Sequence, residues 1–294
     1  MNIWFIVGEG ISNKGTTQLF QSSVAIPKGV RLVFLGDLRF TLDSGLPPQL
    51  FIKEEKVAPP DVYMMLGDYD LNMKMLGDQL DLLGCFAYNN MKAKSIAMSK
   101  IATYQVLAKA GLPIIKTVPI FPSVTKEVLI HSPGLPMVVK PDNGFGGEGV
   151  MLVRTELELE NVLKNARDSK NVFLAQEYIE TSKGFDIRVV TVNHKAQYAV
   201  KRQTGDPNEF RSNMKQGGSF TSVELTDEIL ELSEKTSKAS GLDFAGLDLL
   251  MGKEGYVVGE VNSSPGLKSN TNKEELFKTL IKDIGEKYLA AKLN

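Results

Sequence analysis

Along the first third of the chain, apolar runs of five or six residues alternate with polar turns. Asn2 to Val7, Val30 to Leu35 and Asp61 to Leu66 read as strands, and Leu71 to Leu83 recurs at helical spacing. Residues 1–88 therefore form a small α/β unit, in which Thr41 to Pro60 is a Pro-rich irregular stretch. A longer helix is expected from about Lys92 to Ala110. Asn89 or Asn90 can cap its start, Gly111 suits its C′ position and Pro113 stops it. Ile114 to Val118 and Met137 to Lys140 read as strands, with a short helix near Thr125 to His131 between them. Thr155-x-x-Glu158 is a capping box opening a helix to about Ala166. Phe173 to Ile179 leads onward.

The last third changes period. Asp186 to Val192 and Ala196 to Arg202 alternate as a hairpin, Ser219 to Glu224 is a further strand, and Thr226 caps a helix ending at Gly241. Phe244 to Met251 and Tyr256 to Asn262 form another hairpin before a final helix from about Asn272 to Ala291. Antiparallel hairpins beside helices predict α+β layers here, after the α/β start.

Composition narrows the classes. The chain has 294 residues, 43% hydrophobic, with a net charge of −1. That balance carries no electrostatic footprint for nucleic acid or an anionic membrane. Cys85 is the single cysteine, set in the apolar run LLGCFAY, and reads as a buried inert thiol. His131 and His194 cannot build a histidine-rich metal site, and His194 reads as a solvated residue of a hairpin turn. The start MNIWFIVGEG is too short an apolar run for a signal peptide, no segment reaches a membrane span, and a soluble cytoplasmic protein is the expectation. Gly8-Glu9-Gly10 and the Gly10/Gly15 pair, with Thr16 where a Walker lysine would stand, read as ordinary turns.

The chemistry begins at VVKPDNGFGGEGVMLV. Gly144 to Gly149 matches G-x-G-x-x-G, yet a dinucleotide turn needs a helix straight after the glycines. Here Val150 to Val153 is a β-rich run, so the glycines join two strands. Such a loop can still turn several backbone N–H groups toward phosphate oxygens, and Lys140 at the end of the entering strand adds an ammonium. The acidic end supplies the complement. Glu260 and Asn262 are two apart and share a strand face. A three-residue loop Lys253-Glu254-Gly255, with Gly252 facing Tyr256 and Gly255 at positive φ, would set Asp248 opposite Glu260. Two carboxylates and an amide are hard oxygen ligands suited to Mg²⁺.

Lys100, VVKP with its glycine hairpin, QEYI, GFDIRVV, KRQ, EFRSN, GLDLL and GEVNSSPG stand in an order that resembles the ATP-grasp superfamily, specifically the RimK-type carboxylate–amine ligases. The resemblance covers about Asn89 to the C-terminus. It implies a small pre-ATP-grasp α/β domain (1–88), then a two-lobed ATP-grasp domain with ATP between its lobes: a central lobe with a glycine-loop lid (89–175) and a C-terminal lobe with the metal site (176–294). Lys100 and Lys140 would contact the phosphates and adenine, and Gly144, Gly146, Gly147 and Gly149 would cover the phosphates. Gln176, Glu177, Tyr178 and Ile179 would form the adenine hinge, and Asp186 with Arg188 would border the nucleotide and acceptor pocket. Arg202, Arg211 and Asn213 would face the transferred phosphate. Asp248, Glu260 and Asn262 would hold two Mg²⁺ ions, for which Mn²⁺ could substitute. Two departures stand out: Ser99 where the family often has Asp, and Asn143-Gly144-Phe145-Gly146 where its loop often reads Gly-Ser-x-Gly. Neither removes a metal ligand or a phosphate lysine. The implied reaction joins a carboxylate to an amine through an acyl phosphate, on a small-molecule, peptide or protein acceptor. A small-molecule kinase and a non-enzymatic ATP-binding module are the alternatives.

Overall fold

The computed structural model describes residues 1–8, 26–67, 70–144, 146–212, 218–267 and 273–293. The N-terminal unit is a four-stranded parallel sheet, ordered β2 (Val30–Phe34), β1 (Ile3–Val7), β6 (Val62–Leu66), β7 (Phe86–Ala87). All five residues of β1 and of β6 are buried, as a sheet covered on both faces demands. Trp4, Ile6, Tyr63 and Met65 pack against Met73, Leu76 and Leu80 of α1 (Leu71–Leu82). Phe5, Val62 and Met64 face the other way, onto Phe277, Leu280 and Ile284 of the final helix α7 (Lys273–Leu293). The same cluster takes in Val190, Val192 and Phe244, so the two ends of the chain share one core.

Residues 41–60 depart from the irregular stretch expected there. β4 (Gln49–Ile52) pairs antiparallel with β3 (Leu38–Thr41) on one side and β5 (Glu55–Val57) on the other in a three-stranded flap. The strands are three or four residues long, too short for alternation to stand out among prolines and charges. Leu50, 1% exposed, anchors the flap on Val33 and Leu35.

The expected helix 92–110 is two helices. Ser99 breaks it with extended backbone (φ −101°, ψ 117°), ending α2 (Met91–Met98) and capping α3 (Lys100–Lys109) by accepting from the Ala102 N–H at 3.0 Å. A serine whose hydroxyl bonds the next turn favours a cap over helix interior, a competition invisible to periodicity. Asn90 caps α2, while Asn89 is buried elsewhere. The strand expected over Ile114–Val118 shifts: Ile114 makes an isolated bridge to Val258, and β8 is Thr117–Ile120.

Two antiparallel sheets follow. One is ordered β10 (Met151–Val153), β9 (Met137–Pro141), β11 (Phe173–Glu177), β8. It is covered by α4 (Lys126–His131) and α5 (Glu156–Asp168) through Leu129, Leu159, Val162 and Leu163. Thr155 caps α5, but Glu158 reaches back to the Arg154 N–H at 2.6 Å, one residue beyond a closed box. The second is ordered β14 (Ser219–Val223), β13 (Lys195–Gln203), β12 (Phe185–Val192), β15 (Phe244–Gly252), β16 (Gly255–Asn262). Helix α6 (Asp227–Ser240) covers it, capped by Thr226 and ended by Gly241 at φ 72°, and Ala93 and Leu107 of α2 and α3 join the same core. The β12–β13 turn places Asn193 and His194 at positive φ, but the His194 ring is half-buried, not solvated: its Nδ1 lies 3.0 Å from the Ser237 hydroxyl. Burial pushes the Cys85 thiol up to about 11, as an inert thiol requires. No described helix is long and apolar enough to cross a membrane.

Candidate active site

A cleft of about 450 Å³ lies between the two antiparallel sheets. β9 and β10 pair as a hairpin, Val139 opposite Met151, so the glycines do join two strands. Gly146, Gly147 and Gly149 adopt φ of 65°, 78° and 70°. A Cβ on Gly144 or Gly149 would stand 3.2 Å from the Pro141 ring, so the loop can bend over its own strand only without side chains. Gly144, Gly146 and Gly147 line the cleft, Gly149 does not, and Phe145 lies outside the described residues.

The break at Ser99 has a use. It starts α3 at the loop: the Ile101 N–H donates to Asp142 Oδ1 at 2.8 Å, and Lys100 Nζ donates to the carbonyls of Gly144 (3.0 Å) and Asp142 (3.3 Å). Lys100 Nζ also lies 3.5 Å from Glu260 Oε1, linking the loop to the acidic strands. Lys140, half-buried at the end of β9, lines the cleft. Burial lowers its ammonium to about 8, Lys100 pushes the same way, and Glu260 and Asp248 resist.

The Asp248–Glu260 pairing is present, but the expected loop is not. Gly252 faces Gly255 across a two-residue turn, Lys253-Glu254, with Gly255 at φ 122°. That register alone would bring Gly259 opposite Asp248. A β-bulge between Asp248 and Leu249 adds one residue and restores Asp248 opposite Glu260. Gly259 occupies the bulge, where a Cβ would meet the Asp248 carbonyl at 3.1 Å, and the buried Tyr104 hydroxyl donates to the Gly259 carbonyl. Tyr104→Phe should leave that carbonyl unsatisfied and lower stability by about 1–3 kcal/mol. Denaturant unfolding measures this; an unchanged midpoint would mean the bulge holds without Tyr104.

Asp248 lines the cleft with Glu260 and Asn262, and the arginines converge on it. Arg188 grips both Asp248 oxygens at 2.6 and 2.7 Å, while Arg202 bonds Asp186 at 2.6 and 2.5 Å and Asp248 at 2.8 Å. The strand pairs Asp186↔Arg202 and Arg188↔Asp248 place these groups side by side. Burial raises Asp186, with Asp248 adding repulsion that Arg202 only partly offsets. Burial also opposes the Asp248 charge, but Arg188 and Arg202 outweigh it and hold its carboxyl low. Ser212, missed in the sequence, donates to Asp186. Arg211 is held by Glu209 at 2.6–2.9 Å and donates to the Gly147 carbonyl at 2.9 Å, bridging to the glycine loop. Asn213 lies outside the described residues.

The hinge crosses between the sheets. Gln176 is 2% exposed and donates to Thr117 at 2.8 Å, making its side chain an internal strut. Glu177, Tyr178 and Ile179 line the cleft, and Tyr178 meets Phe210 edge-on at 6.3 Å.

Residues 97–284, well over half of the chain, match the RimK-like ATP-grasp domain. The protein belongs to the RimK-like ATP-grasp family. It is 37% identical over 191 residues to a probable alpha-L-glutamate ligase of Vibrio atlanticus (strain LGP32), and 38% identical over 191 residues to a probable alpha-L-glutamate ligase 2 of Shewanella frigidimarina (strain NCIMB 400). These matches cover 65% of this chain but 63% and 64% of the relatives, less than two thirds of their length. Among solved structures it superposes on a D-alanine-D-alanine ligase from Coxiella burnetii with a TM-score of 0.73, 15% identity, and 99% and 96% of the two chains covered. The ATP-grasp ligase PsnB, complexed with minimal precursor, Mg and ADP, gives 0.69 at 16% identity, covering 96% and 97%. At these identities the likeness is one of fold.

The donors present suit the magnesium that an ATP-grasp site implies. Among the described residues, Glu260 makes one ion pair, with Lys100 at 3.5 Å, and the Asn262 amide donates to the Gly246 carbonyl at 3.4 Å, leaving its oxygen to accept. Asp248 already accepts three charge-assisted bonds and has least to spare. No described group of three His, Cys, Asp or Glu forms a metal cluster, as expected when the third donor is an amide.

Proposed function

We propose that this protein is an ATP-dependent carboxylate–amine ligase working through an acyl phosphate. The observation that carries the reading is a single cleft holding the glycine hairpin, Lys100, Lys140 and the oxygen donors Asp248, Glu260 and Asn262. In this reading residues 1–88 present the acceptor, 89–175 carry the lid over the phosphates, and 176–294 hold the metal-binding face. The hinge Glu177–Ile179 takes the adenine. Lys140 and the loop N–H groups hold the phosphates, and Lys100 ties that loop to Glu260. Glu260 and Asn262, with the remaining capacity of Asp248, would hold Mg²⁺, which neutralises charge on the transferring phosphoryl group. Arg188 and Arg202 present positive charge beside the reacting groups, and Arg211 completes that side.

The carboxylate oxygen attacks the γ-phosphorus and ADP leaves; the amine then attacks the acyl carbon, phosphate leaves, and an amide remains. Oxide is a poor leaving group and phosphate a good one, so the first step makes the second feasible. The relatives' names, probable alpha-L-glutamate ligases, support amino-acid chemistry, and in this reading glutamate is the amine donor. A peptide substrate is also compatible; PsnB has been solved complexed with a precursor peptide. A cytoplasmic setting, where ATP and Mg²⁺ are supplied, belongs to the same proposal. The test is ADP formation with amino acids, peptides and carboxylates singly and in pairs, with mass spectrometry of products. ADP that requires both a carboxylate and an amine supports a ligase. ADP that needs one acceptor alone, with a phosphorylated product, makes it a kinase.

Lys140 supplies a pH signature. Its folded value, about 8, is below its ordinary 10.5, so between these the unfolded chain holds more protons and stability without nucleotide rises with pH. Phosphates bind the charged form, so ATP affinity should be flat below pH 7 and fall as pH rises through about 8. Calorimetry at pH 8 in buffers of different ionisation enthalpy should show proton uptake on ATP binding. Lys140→Ala should abolish that uptake and weaken ATP binding; wild-type affinity in this variant would remove Lys140 from the phosphate site.

A further inference from the structure

We propose that the cleft contains a carboxylate-binding subsite formed by the hydroxyls of Ser263 and Ser264, backed by the buried ammonium of Lys94. It rests on the ligase reading and takes a carboxylate of the amino acid or peptide that brings the amine. Lys94 is 0% exposed on α2, and its Nζ donates to the Met65 carbonyl at 3.1 Å, Ser263 Oγ at 3.2 Å and Ser264 Oγ at 3.3 Å. An ammonium has hydrogens to give and no lone pair, so both serine oxygens must accept from it. The single hydrogen of each hydroxyl therefore turns elsewhere, and no described residue accepts it. Both serines line the cleft. The result is two adjacent O–H donors with positive charge behind them, a pattern suited to the two oxygens of a carboxylate.

Position argues for the amine-bearing substrate. The hinge is tied to the turn end of the β15–β16 hairpin, where the Met251 N–H donates to Ser182 Oγ at 2.6 Å. Moving along β16 from there come Glu260, then Asn262, then the serines. The subsite thus lies beyond the phosphate end of the cleft, away from the adenine. The parallel sheet delivers the carboxyl end of β6 to the same place, through the Met65 carbonyl and Gly67. Its order β2-β1-β6-β7 reverses between β1 and β6, the switch point at which parallel sheets leave a crevice for ligands. Asn89, 1% exposed, pins the segment by donating to the carbonyls of Phe244 at 2.7 Å and Ser263 at 3.2 Å. The donors are therefore held in place before a ligand arrives.

The experiment is calorimetric titration of wild type, Ser264→Ala and Lys94→Met, each with ADP and Mg²⁺ present. The probes are a panel of free amino acids, L-glutamate included, and the same compounds with every carboxylate converted to an amide. The expected result is a loss of about tenfold or more for acids in Ser264→Ala, the scale of a hydrogen bond to a charged group, with the amides unchanged. Lys94→Met should do the same where it folds; Ser264→Ala decides the matter where it does not. A panel in which no carboxylate loses affinity in Ser264→Ala overturns the subsite, as does an equal loss for acids and amides. Binding of ADP by wild type is read in the same titrations. A protein that binds ADP but is indifferent to Ser264 loses this inference alone; one that does not bind ADP loses the ligase reading with it.

Discussion

Glu260→Gln is expected to slow ADP formation by about a hundredfold or more, the cost of removing one stabiliser of developing charge, on the order of 3 kcal/mol. The substitution keeps the shape and one oxygen but removes a charge from the residue with most acceptor capacity to spare. ATP binding should fall less, since Lys140, the glycine loop and the hinge still hold the nucleotide. Lys100 will lose its 3.5 Å partner but keep its bonds to the Gly144 and Asp142 carbonyls, so the loop should stay seated. Raising Mg²⁺ should recover only part of the loss. The measurement is single-turnover ADP formation with saturating acceptor. A rate within about threefold of wild type would make Glu260 a structural acid and take the metal centre out of the ligase reading.

Arg202→Met should cost about 3–5 kcal/mol of folding stability, the usual consequence of removing one partner of a buried ion pair. Asp186 is 3% exposed and Asp248 4%, and Arg202 lies between them. Without it Asp186 keeps, among the described residues, only the Ser212 hydroxyl and faces Asp248 unscreened, whereas Asp248 retains Arg188. Arg202→Lys should be intermediate, because one ammonium cannot reproduce two forked bonds to Asp186 and a third to Asp248. Denaturant unfolding without nucleotide separates this loss from any effect on activity. Equal stability of Arg202→Met and wild type would show that the carboxylates are relieved in some other way, and that the four-residue charge chain does not hold β12, β13 and β15 in register.

Local signals made much of this legible. The β-rich runs and the turn residues between them located the hairpins of the last third to within a residue or two, although β12 and β15 bury both faces. Thr155, Thr226 and Gly241 marked helix ends because caps are satisfied by neighbours in sequence. The glycines at 144–149 could be recognised as a strand–loop–strand from the β-rich run alone. The two-apart spacing of Glu260 and Asn262 set them on one face. Family membership rested on the order of motifs, which survives without coordinates.

Other features belong to the tertiary structure. The pairing of Asp248 with Glu260 came from a two-residue turn plus a bulge, not from the three-residue turn. Both routes add the same single residue, and only a distant hydroxyl, that of Tyr104, identifies where it goes. The break at Ser99 reads as continuous helix until Asp142 is seen receiving the second helix. Lys94 lies in an unremarkable helical stretch, MKAKSIAM, where a lysine is ordinarily solvated. Its burial depends on residues 29 and 170 positions away along the chain. Turns, caps and faces are set by neighbours within a few residues, so the sequence by itself determined them. Which buried polar group meets which partner is set by how the sheets close on one another, and that only the tertiary structure decided.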